Sequence, residues 1–182
     1  MRLLFVLLLA LTGCDAVDLP LVSVDAGDMF MPPQGMGCAD NSQCMGGQFC
    51  DKPCGAALGR CSQQPAFCDG DSRPECGCDG VTYWNACLRR KAGVGFRDRG
   101  PCMDPLPCDT TSPCAAGVCG RIVAPNQCGL VPAGACFVLP DTCEGFMPDR
   151  FYECGTNMTQ CFDACGAIRS GKIMARYPGA CP

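Results

Sequence analysis

Cys68-Asp69-Gly70-Asp71-Ser72-Arg73-Pro74-Glu75-Cys76-Gly77-Cys78-Asp79-Gly80-Val81-Thr82-Tyr83-Trp84-Asn85-Ala86-Cys87 is the stretch on which the fold turns. Four of these 20 residues are cysteine. Asp79-Gly80 suits a tight turn, because glycine takes the positive φ such turns need. Residues 86–92, Ala-Cys-Leu-Arg-Arg-Lys-Ala, are good helix formers. Asp69, Asp71, Glu75 and Asp79 read as solvated loop acids rather than as a general acid–base pair. Arg89, Arg90 and Lys91, with Arg97 and Arg99, read as the wet side of the helix. Tyr83 reads as packing; Trp84 has no assigned role.

The same chemistry pervades the chain. Of 182 residues 21 are cysteine, about 11.5 %, which suggests a disulfide scaffold. Glycine (23) and proline (16) add loop-prone residues, and the formal charge is −4. There is no histidine, which excludes Ser-His and Cys-His nucleophiles and His-ligated metal sites. Net acidity and the lack of a basic, aromatic-studded face argue against nucleic acid. Cys-x-x-C pairs are absent, which disfavours zinc. No enzyme activity, cofactor or metal is expected.

The N-terminus points to export. After Met1-Arg2, Leu3 to Leu11 is an apolar run of nine residues. As a helix it measures about 14 Å, too short for a hydrocarbon core of about 30 Å but right for a signal's apolar region. Leu11-Thr12-Gly13-Cys14 resembles the bacterial lipobox. That resemblance implies cleavage after residue 13, a lipidated Cys14, and a stable anchor of two or three acyl chains. Residues 14–37, with four aspartates and Pro32-Pro33, read as a flexible acidic tether; Met29, Phe30, Met31 and Met36 within it read as spacer. The expected location is a bacterial cell envelope, facing the periplasm or exterior. Asn157-Met158-Thr159 is read as a chance glycosylation triplet.

With Cys14 set aside, 20 cysteines remain, an even number that reads as ten disulfides in an exported chain. They split into ten between Cys38 and Cys102 and ten between Cys108 and Cys181. Cys38 to Cys44 and Cys108 to Cys114 each enclose five residues. Cys61 to Cys68 and Cys136 to Cys143 each enclose six. Cys76 to Cys87 and Cys154 to Cys165 each enclose ten, both spans beginning Cys-Gly and ending Ala-Cys. The chain therefore reads as two copies of one module, 38–102 and 108–182, joined by a short stiff linker, 103–107. Units this small bury little surface and depend on staples.

The run from Cys68 to Cys87 resembles the Kazal domain, Cys-x7-Cys-Gly-x-Asp-Gly-x-Thr-Tyr-x-Asn-x-Cys, and Gly100-Pro101-Cys102 matches that family's usual close. The resemblance implies a small disulfide-rich α+β fold in each unit: a short antiparallel sheet plus one helix. The family's fifth cysteine is missing, and Cys78 appears instead, with Cys161 as its counterpart in the second unit. The resemblance then implies Cys61–Cys78, Cys68–Cys87 and Cys76–Cys102, with Cys136–Cys161, Cys143–Cys165 and Cys154–Cys181. The four cysteines ahead of each unit resemble the hairpin that precedes Kazal in follistatin-like domains. This implies Cys38–Cys50, Cys44–Cys54, Cys108–Cys119 and Cys114–Cys128, although four cysteines allow three connectivities.

Kazal inhibitors present a rigid loop after their second cysteine, and a serine protease binds it like substrate. The resemblance places that loop at Asp69, Gly70 and Asp71 and, in the second unit, at Gly145 and Phe146. The specificity position is glycine in both, Gly70 and Gly145. An empty specificity pocket forgoes about 1.5–3 kcal/mol. The expectation is a membrane-anchored inhibitor of a secreted or envelope serine protease, weak or suited to a small pocket. The alternative is a non-inhibitory follistatin-like binding or structural module that meets another envelope protein.

Overall fold

Residues 37–130, 132–143, 150–156 and 160–177 are described by the computed structural model. The expectations for Cys14, the tether up to residue 36, Gly145, Phe146, the triplet 157–159 and Cys181 lie outside the described residues. Among the described residues the protein is a small disulfide-rich α+β fold with short strands and two six-residue helices.

Residues 37–102 contain β1 (Gly37–Cys38), β2 (Gln48–Asp51), β3 (Gly59–Gln63), β4 (Glu75–Gly77), β5 (Thr82–Tyr83), α1 (Ala86–Lys91) and β6 (Phe96–Arg99). Residues 107–177 contain β7 (Pro107–Cys108), β8 (Val118–Val123), β9 (Gly134–Val138), β10 (Phe151–Glu153), α2 (Ala164–Arg169) and β11 (Ile173–Arg176). β2 and β3 pair antiparallel with Cys50 opposite Cys61, and β8 and β9 pair antiparallel with Cys119 opposite Cys136. β1 runs beside β3 as β7 runs beside β9. β4 pairs with β6 as β10 pairs with β11. Both helices start on a side-chain cap, Asn85 or Asp163, and each is followed by a glycine at positive φ, Gly93 at +69° and Gly171 at +65°. That is the left-handed residue that ends a helix without Cβ strain.

The expected separate antiparallel sheets need correction. β1-β3-β2 stands alone, but the other strands form one eight-stranded mixed sheet, ordered β10-β11-β8-β9-β5-β4-β6 with β7 on β9. Two of its pairs are parallel, β5 on β9 and β8 on β11. Residues 103–107 do not hang free. The Leu106 N–H donates to the Gly80 carbonyl, the Cys136 N–H donates to the Leu106 carbonyl, and Pro107 already belongs to β7.

β5 is thus an inner strand, and Val81 to Asn85 are all buried. Tyr83 shares an apolar cluster with Cys108 and Cys136; Trp84 shares one with Cys165 and Ile168 of α2. Asp79-Gly80 forms the expected turn, with Gly80 at φ +76° and the Asp79 carboxylate accepting from the Val81 N–H.

Four bridges differ from the expected pairs. Cys38–Cys50, Cys68–Cys87, Cys76–Cys102, Cys108–Cys119 and Cys143–Cys165 are present. Cys44 bonds Cys61 rather than Cys54, and Cys114 bonds Cys136 rather than Cys128. Cys61 therefore does not reach Cys78, nor Cys136 Cys161. Cys54 bonds Cys78 and Cys128 bonds Cys154, so Cys154 is not paired with Cys181. Cys161 is also disulfide-bonded.

Backbone contacts explain the exchange. The Cys54 N–H donates to the Phe96 carbonyl and the Cys78 N–H to the Gly95 carbonyl, which brings the two Cα atoms to 5.4 Å. The Cys154 N–H likewise donates to Ile173, just ahead of β11's interior. Cys54–Cys78 and Cys128–Cys154 tie the cysteine-rich hairpin of each half to the strands that follow it. Spans of 24 and 26 residues in the chain become short ones in space, the geometry a disulfide requires.

Candidate functional site

The loop from Cys68 to Glu75 is fastened at both ends. Cys68 is bonded to Cys87 on α1, and Cys76 in β4 to Cys102. Between these points Asp69 and Asp71 are exposed and Gly70 is half-buried. Their backbone carbonyls are held from beneath by two consecutive side chains. The Asn85 carboxamide N–H2 donates to the Asp69 carbonyl at 3.0 Å, the Asp71 carbonyl at 3.1 Å and the Asp69 carboxylate at 3.2 Å. The Trp84 indole N–H donates to the Gly70 carbonyl at 2.9 Å. Behind them, the Arg73 backbone N–H donates to the Trp84 carbonyl.

Asn85 does two jobs with two ends. Its oxygen accepts from the Leu88 N–H and caps α1, while its nitrogen reaches the loop. A carboxamide offers an acceptor at one end and two N–H donors at the other. Helix start and loop shape are therefore coupled through one buried residue, 4 % exposed.

The other expected loop acids sort differently. Arg73 lies 3.1 Å from Asp71 and 3.9 Å from Asp69, all three well exposed, a pairing worth little in water. Asp79 accepts the Tyr83 hydroxyl at 2.8 Å. Tyr83 is raised above its ordinary value, first by burial and then by that bond to Asp79. Glu75 is not a free loop acid: its carboxylate takes the Arg89 Nε–H at 2.8 Å. Arg89 corrects the reading of the helix's wet face. It is 3 % exposed, donates to the Val94 carbonyl, lies 3.7 Å from Asp51 of β2, and stands over the Phe96 ring. A six-residue helix offers too little periodicity to tell which arginine turns inward. Arg90, Lys91, Arg97 and Arg99 are exposed.

Two features of the loop were not signalled by the sequence. One is the indole–Gly70 bond, which depends on where a carbonyl points. The other is Phe67, just ahead of Cys68, whose ring is 91 % exposed.

In the other half, Cys143 is bonded to Cys165 on α2, and Asp163 caps the helix by accepting from the Gly166 N–H at 2.6 Å. An ionised carboxylate has no proton to give a loop carbonyl. As to metals, the sulfurs of Cys38, Cys44 and Cys61 lie within 4.8 Å of one another, as do those of Cys108, Cys114 and Cys136. All six are in disulfides and offer no thiolate.

This region is a short sheet, one helix and a disulfide-tied loop with its carbonyls braced from below. Residues 61–102 match the Kazal-type serine protease inhibitor domain. That stretch is therefore similar to a family described as serine protease inhibitors.

Proposed function

We propose that residues 61–102 inhibit a serine protease through the exposed loop Asp69-Gly70-Asp71. The observation that carries this reading is the Asn85 carboxamide beneath the carbonyls on either side of Gly70. A loop already held in shape loses little entropy when a protease closes on it, and that preorganisation is a source of affinity. Gly70 leaves the specificity pocket empty, so the target has a small or shallow one. Phe67, three residues upstream and free in solvent, supplies an apolar side chain for the enzyme's neighbouring surface.

The protein works at a bacterial envelope, exported and held to a membrane by lipid on Cys14. Residues 108–182 are a diverged copy of 38–102. The matched order of strands, helix and glycine stop supports the duplication.

The test is an inhibition series with subtilisin-, elastase- and chymotrypsin-like enzymes. Gly70→Leu restores an apolar side chain worth about 1.5–3 kcal/mol. It should tighten inhibition of enzymes with large apolar pockets by about 10- to 100-fold. No inhibition by either protein overturns the reading in favour of a non-inhibitory binding module. The specific observation on that side is the Gly70 carbonyl, which is turned inward to Trp84.

A further inference from the structure

We infer that Trp84 is a latch that restrains the loop and sets how tightly it is bound by a protease. The inference rests on the reading of Asp69-Gly70-Asp71 as the protease-facing segment. In that reading the Gly70 carbonyl is the group a serine nucleophile would attack. Its oxygen would have to lie in an oxyanion hole, facing donors supplied by the enzyme. Here that oxygen accepts the Trp84 indole N–H at 2.9 Å. The bond aims it at a buried indole rather than at solvent.

The latch is itself held. Trp84 is 5 % exposed, and its backbone N–H donates to the Val138 carbonyl at 2.9 Å. Its ring belongs to an apolar cluster with Cys165 and Ile168 of α2 and with Phe137 and Leu139 around β9. The donor is therefore placed in part from outside the matched domain, by Val118, Phe137, Val138, Leu139, Cys165 and Ile168, together with Leu88 inside it. Entry of the loop into a protease requires this hydrogen bond to break while the ring stays packed. Removal of the N–H leaves all three Asn85 bonds to the loop in place. Preorganisation is retained and one opposing interaction is lost. Trp84 is a positioning residue that works against association.

The test uses the full disulfide-bonded chain. Trp84→Phe removes the donor. Replacement of Trp84 by benzothienylalanine removes the N–H and keeps the bicyclic ring, so a packing defect in the first variant does not decide the matter. Both should inhibit a subtilisin-like protease about three- to tenfold more tightly than the parent, the equivalent of one ordinary hydrogen bond. The chain has a single tryptophan, so its indole proton gives one assignable NMR signal. That proton should exchange slowly in the free protein. It should lose protection when the protein binds a protease whose nucleophilic serine is replaced by alanine. Fast exchange in the free protein overturns the latch, as does unchanged inhibition by both variants when the parent inhibits. If parent, Trp84 variants and Gly70→Leu all fail to bind any protease, the inhibitor reading falls. The latch's role in association falls with it, and fast indole exchange would overturn the restraint on the loop as well.

Discussion

Helices α1 and α2 begin alike and are held by opposite means. Each follows an N-cap, carries a disulfide-bonded cysteine at its second position, and stops at a left-handed glycine. The cap of α1 is an amide that also reaches the loop; the cap of α2 is an acid. Two residues after that cysteine, α1 has the buried Arg89, whereas α2 has Ala167, fully buried in an apolar cluster with Phe151 and Met174. One half is fastened by charge across three strands, the other by small apolar contacts. The disulfide frame tolerates either, and in the first half the cap residue also braces the loop.

The largest effect should come from the charge cluster. Arg89→Ala takes the buried cation from Glu75, while Asp51 keeps Arg90 at 3.8 Å. It should cost about 3–5 kcal/mol of stability, since loss of one member of a buried ion pair leaves an uncompensated charge. Denaturant unfolding of the oxidised protein measures this. A cost below about 1 kcal/mol would show that Arg89 is no more important than a surface pair.

Next comes the cap exchange. Asn85→Asp gives α1 the cap of α2. Capping should survive, because aspartate and asparagine serve equally at that position. The three contacts to Asp69 and Asp71 are lost, and the new carboxylate faces two carbonyl oxygens. Inhibition should weaken by about 10- to 100-fold, with cleavage of the loop on long incubation, for a loss of about 1–3 kcal/mol. Inhibition constants and peptide mapping read the two arms. The reverse change, Asp163→Asn, should leave unfolding nearly unaltered.

The smallest effects are those of pH. Burial and Asp79 raise the Tyr83 hydroxyl above its ordinary 10.0. A raised folded-state value means stabilisation that is whole below about pH 10 and is lost as pH climbs further. Tyr83→Phe should flatten that alkaline decline in a melting-temperature series. On the acid side Asp40 and Asp109 are lowered from 3.8, the first mainly by the Ser42 hydroxyl and the second mainly by the Thr111 hydroxyl. Their contributions are present above 3.8 and vanish as pH falls through the lowered values. Asp40→Asn and Asp109→Asn should each remove part of the acid dependence, and by similar amounts in the two halves.

The Asp79-Gly80 turn and the start of α1 at Ala86 were readable from local chemistry, because turns and caps depend on a few adjacent residues. The bridges that cross from hairpin to sheet were not. Spacing says how far apart Cys54 and Cys78 are along the chain, while their meeting depends on Phe96 and its neighbours running between them. The parallel pairing of β5 with β9 was equally hidden, since Thr82-Tyr83 and Phe137-Val138 carry no local mark of each other. In the loop, position 70 could be named from the cysteine before it. That its carbonyl faces an indole depends on the packing of α2 and could not.

The inner position of β5 has a practical consequence. A fragment trimmed to residues 61–102 would strip β9 from Thr82 and Tyr83 and uncover the ring of Trp84. Its unpaired strand would then be an adhesive seam, open to any other chain with an edge to offer. Excised at its family boundaries, the piece should self-associate rather than behave as a small soluble inhibitor.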